Sequence, residues 1–309
     1  KLFIGDQYEE PGYSAYDNCD GDISDRVHTD SRVDFNQAGT YEIIYTVSDS
    51  HGNETSLSRS VQILENPLNV KLEYNHDLFD NTSFEWWFDK SQAHARNTAA
   101  KSADWLKTYG AYYIGPDEKV IYLTFDEGGN DITYIKQIAD VLNEYEVKAT
   151  FFLTRNYIRD EADFVRDLVK HGHVIGNHSW HHYDMTTLAN AQQVDAFVEE
   201  LTQEEKTYLE VVGEPMPKIF RFPRGGCSER AMKMVCDLGY RTYFWSHAYY
   251  DYGSDVSEEE ALKTMMDHYH NGAIYLLHPS NKGNWEALDD FIREMKRLGY
   301  RFDTVDHIG

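Results

Sequence analysis

The stretch His173-Val174-Ile175-Gly176-Asn177-His178-Ser179-Trp180-His181-His182 ends a strand-like apolar run directly in imidazoles. His178 and His182 stand four apart. A single turn of chain after the strand would bring their rings to one face, with Cβ atoms roughly 5–6 Å apart. Paired imidazoles suit a shared divalent ion, zinc first, with cobalt and nickel as alternatives. The competing reading is a pair of surface or internally bonded histidines. Whether other ionisable residues gather at the same place decides between the two.

Those histidines need a scaffold, and from Lys119 onward strand-like runs alternate with helical periodicity. Strands are expected over 120–125, 149–153, 173–177, 219–222, 242–245, 273–277 and 302–305. Between them apolar residues recur at three and four, as in Ile132, Ile135, Ile138, Ala139 and Leu142, or Leu288, Phe291, Ile292, Met295 and Leu298. Gly239 and Gly299 stand where helix C-caps belong. Such alternation implies a parallel sheet with right-handed crossovers, here a distorted (β/α)7–8 barrel over residues 83–309.

In parallel folds the chemistry lies beyond the carboxyl ends of the strands. The expected ends read Thr124-Phe125-Asp126-Glu127-Gly128, His178, Arg221-Phe222-Pro223-Arg224-Gly225, Trp245-Ser246 and Leu276-Leu277-His278. Any one of these alone is more simply a strand cap or a solvated loop residue. Ionisable residues at several strand ends describe a rim built for chemistry.

Residues 1–64 follow a different pattern, with no helical period and alternating aromatic and β-branched residues. Thr40–Val47 is the clearest strand, and a Gly52-Asn53 turn leads into a second over Ser56–Ile63. Ala15-Tyr16-Asp17 through Asp20-Gly21-Asp22-Ile23, with Ala38-Gly39-Thr40-Tyr41 and Tyr45-Thr46-Val47-Ser48-Asp49, resembles the immunoglobulin-like repeats of bacterial surface proteins. A small all-β immunoglobulin-like sandwich is therefore expected in front, making the chain multi-domain. The acids Asp17, Asp20, Asp22 and Asp25 miss the calcium-loop template, because Gly21 comes one place early and His28 stands where the bidentate Glu belongs. They read as turn acids. Residues 65–82 read as a linker. In Phe84-Glu85-Trp86-Trp87-Phe88 the rings are expected to pack on the second domain, with a sugar-stacking surface as the alternative.

The formal net charge of −24 excludes nucleic acid and anionic membrane surfaces as partners, since both demand basic faces. No run of 18 apolar residues exists to span a bilayer. Cys19, Cys227 and Cys236 make no disulfide framework and are expected reduced. The chain starts at Lys1 and reads as a processed or trimmed form, with any signal or anchor outside it. Oligomeric state is not legible.

Thr124-Phe125-Asp126-Glu127, His178-Ser179-x-x-His182, Arg221-x-Pro223-Arg224-Gly225 and Leu276-Leu277-His278, in this order and on these strands, resemble the polysaccharide deacetylases of carbohydrate esterase family 4. Tyr109–Gly115, Phe244-Trp245-Ser246 with Asp251, and Gly272–His278 are most similar to the δ-lactam-type muramic acid deacetylases. The resemblance implies a metal held by His178, His182 and a carboxylate, Glu127, where the family usually has Asp. It implies Asp126 as general base, Arg221 as the partner keeping it ionised and aimed, and His278 as the acid that protonates the leaving amine. A backbone N–H after Pro223, that of Arg224, would face the oxyanion. Arg224, Pro223, Gly225, Trp245 and Asp251 are the expected substrate contacts.

Two further departures accompany Glu127. Ser246 ends the strand where the family usually has an Asp tuning the acid histidine, leaving Asp251 downstream as the candidate, and Gly128-Gly129-Asn130 replaces a more aromatic stretch. The expected function is a metal-dependent hydrolase, extracellular or on a bacterial cell surface. It would remove N-acetyl groups from a cell-wall aminosugar polymer, with N-acetylmuramic acid of peptidoglycan first. The alternatives are deacetylation of N-acetylglucosamine polymers, de-esterification of acetylated xylan, or wall binding by an inactive barrel.

Overall fold

The structure, a computed structural model, describes residues 1–92, 94–127, 134–252 and 256–309. The chain divides into two compact units, Lys1–Asn69 and Val70–Gly309. The expected helix residue Ile132 and the Gly128-Gly129-Asn130 stretch lie outside the described residues.

The first unit holds β1 (Leu2–Phe3), β2 (Tyr16–Asp17), β3 (Gly21–Asp22), β4 (His28–Ser31), β5 (Gly39–Ser48) and β6 (Glu54–Leu64). Its sheet runs β1-β6-β5-β4, with a long β5–β6 hairpin turned at Asp49, whose carboxylate accepts from the His51 and Asn53 amides. The two-residue period buries Ile43, Val61 and Ile63 against Tyr41, Tyr45 and Phe35. Beside that four-stranded sheet, the only other pairing among the described residues of this unit is the two-residue β2–β3 ladder, so the expected sandwich has one substantial layer. Asp17 accepts from the Cys19 and Asp20 amides and Asp22 from Ser24, which makes these acids turn-closers.

The second unit contains β7 (Phe84–Glu85), β8 (Ala111–Tyr112), β9 (Val120–Glu127), β10 (Thr150–Leu153), β11 (Val174–Asn177), β12 (Ile219–Phe220), β13 (Gly226–Cys227), β14 (Arg241–Tyr243), β15 (Ala273–Leu277) and β16 (Arg301–Asp303). Its main sheet is parallel and ordered β15-β9-β10-β11-β12-β14-β8, with β16 also on β9. Bridges from His247 to Tyr275 and from Ile114 to Ala273 bring its two ends together, so the sheet curls into a distorted barrel. Helices including Ile135–Glu144, Ala162–Lys170 and Lys282–Arg297 cover the outer face.

β9 is buried along its whole length, as a central parallel strand should be. Its alternation sorts side chains cleanly. Ile121, Leu123 and Phe125 pack outward with the helical residues Ile138, Leu142, Leu288 and Phe291, whereas Val120 and Tyr122 join the inner cluster. Thr124 and Asp126 continue that inner row.

The segment expected as a linker over 65–82 does not behave as one along its length. Val70–Thr82 belongs to the second unit, where buried His76 meets Asp237 (2.9 Å), Asn81 accepts from Ser228 Oγ (2.7 Å), and the Asp80 carbonyl accepts from the Arg230 amide. The apolar and aromatic residues Leu72, Tyr74 and Phe79 in this stretch are what anchor it.

Candidate active site

Inside the rim the most constrained side chain is Arg221, fully buried at the end of β12. Its Nη1 donates to Asp126 Oδ1 (2.6 Å) and Thr124 Oγ1 (2.7 Å), its Nε to the Tyr243 carbonyl (2.7 Å) and its Nη2 to the Phe244 carbonyl (3.3 Å). The guanidinium also lies 4.1 Å from the Phe152 ring centroid. A charge buried this deeply is tolerable only with such pairing. The result is one aimed carboxylate, with Asp126 Oδ2 left toward His178 Nε2 at 3.8 Å.

The histidine pair forms, but not by a helical turn. His178–Tyr183 is a loop in which Ser179 (φ 70°) and His182 (φ 58°) are left-handed, and the two rings come to 4.9 Å between centroids. Asn177 Oδ1 accepts from the Ser179 amide and Ser179 Oγ from the His182 amide, each at 3.0 Å, which holds the reversal. His178 Nδ1 pairs with the Arg221 carbonyl (2.9 Å), so its proton sits there and the Nε2 lone pair faces the rim. Burial keeps both rings neutral, pushing the His178 pKa below the usual imidazole range and that of His182 down to about 4.

Sequence reasoning missed what holds this loop from behind. Glu200 accepts from the His181 amide (2.9 Å) and pairs with its Nδ1 (2.6 Å), while buried Glu204 accepts from the His178 amide (3.3 Å). The signal was present: in the helix Val194–Val212, Glu204 occupies the buried stripe of Phe197, Leu201 and Tyr208, where the period calls for an apolar residue.

Glu127 departs from its expected role. It follows Asp126 in a regular strand, so its side chain leaves on the outer face shared with Phe125, and its charge acts on the hydroxyl of Tyr157 in the outer cluster, whose pKa rises through burial first and Glu127 second. Among the described residues no group of three or more His, Cys, Asp or Glu is arranged to hold a metal ion. The donor chemistry of the histidines fits one nonetheless: two adjacent neutral imidazoles, one with its Nε2 lone pair fixed by a hydrogen bond at Nδ1. The fit is to the two histidines, with the Asp126 carboxylate 3.8 Å from His178 Nε2.

His278 stands on the other side of β9, where β15 ends. Asp251 holds it twice, accepting from the His278 amide (2.7 Å) and pairing with Nδ1 (2.6 Å). Burial opposes the charged ring, but the hydrogen bond and charge of Asp251, with the charge of Asp126, outweigh it and raise the His278 pKa above the imidazole range. Of the two expectations for Asp251, the structure shows the pairing with His278 and not the substrate contact. At 1% exposure it cannot reach substrate, and Asn281 and Asn284 fix it in turn, both missed from the sequence. Ser246 instead bonds His270 (2.9 Å).

Of the other expected substrate contacts, Pro223, Gly225 and Trp245 are buried. Gly225 (φ 67°) lets the Trp245 ring close in, since a Cβ there would lie 2.7 Å from it. These residues shape the wall. Arg224 alone is exposed, in a left-handed turn (φ 58°), and its guanidinium forms no ion pair among the described residues. The Gly225 and Gly226 amides close that turn on the Phe222 and Pro223 carbonyls.

A curled parallel sheet with a buried Arg-Asp pair, two facing histidines and a carboxylate-backed histidine at one rim defines a hydrolase site. Comparison with known proteins agrees. The polysaccharide deacetylase pattern matches residues 114–243, and the Ig-like domain of bacterial surface proteins matches residues 1–63. An uncharacterized 30.6 kDa protein of Geobacillus stearothermophilus is 39% identical over 236 residues, 74% of this chain and 86% of that one. The peptidoglycan-N-acetylmuramic acid deacetylase PdaA of Bacillus subtilis is 37% identical over 234 residues, again 74% and 86%. The PdaA structure superposes with a TM-score of 0.69, covering 74% of this chain and 97% of that one. A family 4 carbohydrate esterase from Bacillus anthracis gives 0.61 at 35% identity, with the same coverage. The chain belongs to the polysaccharide deacetylases of carbohydrate esterase family 4, hydrolases that act on amide bonds.

Proposed function

We propose that this protein removes N-acetyl groups from N-acetylmuramic acid residues of peptidoglycan at the bacterial cell surface. The family is generally metal-dependent. His178 and His182 would hold a divalent ion, zinc first and cobalt or nickel as alternatives, which when bound polarises the acetamide carbonyl and acidifies a water molecule. Asp126, aimed by Arg221, takes the proton of the attacking water. His278, charged through Asp251, delivers a proton to the departing amine. The Arg224 backbone N–H supports the oxyanion.

The observation that carries the choice of sugar is Arg224. An exposed guanidinium without an ion pair among the described residues, on the rim of a chain with net charge −24, is open to a substrate anion. Muramic acid differs from glucosamine by a lactyl ether whose carboxylate is free once the peptide is removed, and a guanidinium receives a carboxylate bidentately. A charge-assisted bond contributes roughly 1.5–3 kcal/mol, about a ten- to hundredfold preference. Acetate release from peptide-stripped peptidoglycan and from chitooligosaccharide, with and without added Zn²⁺, tests the proposal. Arg224→Ala should erase most of the preference while sparing basal turnover. Equal or better kcat/KM on chitooligosaccharide by the unaltered protein would replace muramic acid with glucosamine.

A further inference from the structure

Two large rings beside the site are held in place yet open to solvent. Trp86 and Phe88 are buried, as expected for packing, but Trp87 between them is 55% exposed. It is not loose: its ring stacks on Phe88 (5.2 Å, 21°) and meets Trp245 edge-on (6.4 Å, 80°), and the preceding Trp86 amide donates to the Gly225 carbonyl (2.8 Å). The β7–β13 ladder clips this segment to the residues following Arg224. Trp245 in turn lies 5.8 Å from the Arg221 guanidinium, so one ring separates Trp87 from the Arg221–Asp126 pair.

The second ring is Tyr183, 52% exposed, directly after His182. It ends a pile in which Arg155 lies over Trp180 (4.5 Å), Trp180 stacks on His181 (4.1 Å) and His181 stacks on Tyr183 (4.9 Å, 14°). Glu200 fixes His181 in the middle of that pile. In both places the back of the ring is occupied by another ring and much of the ring is left open to solvent. A pyranose presents a face of C–H groups that matches the electron-rich face of an aromatic ring.

We propose that Trp87 and Tyr183 are stacking platforms for the sugars flanking the one that reacts, so that the site engages an extended glycan strand. This rests on the deacetylase reading of the same rim. Because the rings are already ordered by stacking, little side-chain entropy is lost when a sugar settles on them.

The test uses peptide-free peptidoglycan glycans and, in parallel, the chitin series, each as the N-acetylated monosaccharide and as a long oligomer. Trp87→Ala and Tyr183→Ala should each lower kcat/KM on the long oligomer roughly 3- to 10-fold, mainly through KM. The monosaccharide rates should stay at the wild-type level, and Trp87→Phe and Tyr183→Phe should retain most of the long-oligomer advantage. Unchanged length dependence in both alanine variants, or equal losses on short and long substrates, overturns the proposal. Binding of the long oligomer to Asp126→Asn protein, with and without Trp87→Ala, reads the platform without turnover. If the unaltered protein releases no acetate from any glycan, the deacetylase reading fails, while loss of binding in the double variant still supports the platform and undiminished binding removes it.

Discussion

The two halves of the rim are built by opposite means. The half proposed to move protons stands on strand ends: Asp126 is fixed by an arginine that is itself bonded to Thr124, Tyr243 and Phe244, and His278 by Asp251, whose carboxylate accepts from Asn284 and whose backbone carbonyl accepts from Asn281. The half with the paired imidazoles stands on a loop whose reversal needs left-handed Ser179 and His182, pinned from behind by Glu200 and Glu204. Left-handed backbone in residues other than glycine costs about 1–3 kcal/mol each and persists where the surroundings over-determine it. The Asp126 and His278 side thus rests on strand ends and the paired imidazoles on strained backbone, so the two halves should fail differently.

The largest separation should come from the strand-borne half. Asp126→Asn should cut turnover roughly 10²–10⁴-fold and, because it leaves the buried Arg221 charge without its carboxylate, should also lower the thermal unfolding midpoint. Arg221→Met leaves Asp126 buried without its partner and should cost about 3–5 kcal/mol of stability, read by denaturant unfolding. Retention of both stability and activity in that variant would dissolve the distinction between the halves.

On the loop-borne half, His178→Ala with His182→Ala should abolish binding of one divalent ion, measured by metal content after dialysis, with the fold retained. Full occupancy in the double variant would show that the imidazoles hold nothing. Glu127→Gln should leave metal content nearly unchanged, because strand alternation turns that side chain to the outer face. Loss of the metal would restore Glu127 as a ligand.

Asp251→Asn probes the acid. The His278 pKa is raised in the folded protein, so the acid keeps its proton to higher pH and activity is lost only as pH climbs through that raised value. Removing the Asp251 charge lowers the pKa, so the falling limb of the pH–rate profile should move to lower pH, with turnover down roughly tenfold or more. An unmoved limb would mean that another group supplies the proton.

The smallest effect concerns the division between the units. A fragment of residues 70–309 should unfold at nearly the same denaturant concentration as the full chain, whereas one starting at residue 81 loses the Tyr74, His76 and Phe79 packing and should unfold earlier. Indistinguishable midpoints would return residues 70–82 to the role of a passive linker.

The order of strands and helices in the second unit and the identity of the rim residues were legible because both obey local periods. Apolar runs alternate with helical spacing, and Asp126, Arg221, His178 and His278 fall where buried strands end. What the sequence could not decide is where a side chain at such an end points and what stands behind it. Adjacent Asp126 and Glu127 read as base and metal carboxylate at one rim, but the strand turns one toward Arg221 and the other toward the Tyr157 side. Asp251 read both as a substrate contact and as the candidate partner of His278, and the pairing that decides between them spans 27 residues and depends on how the loop after β14 returns to β15. Likewise Trp86, Trp87 and Phe88 read as one aromatic cluster, and only the β7–β13 ladder, set by long-range hydrogen bonds, buries the outer two and leaves the middle ring open. Local pattern determined which residues arrive at the rim. Where each side chain points and what holds it came from pairings between distant parts of the chain, which no local period encodes.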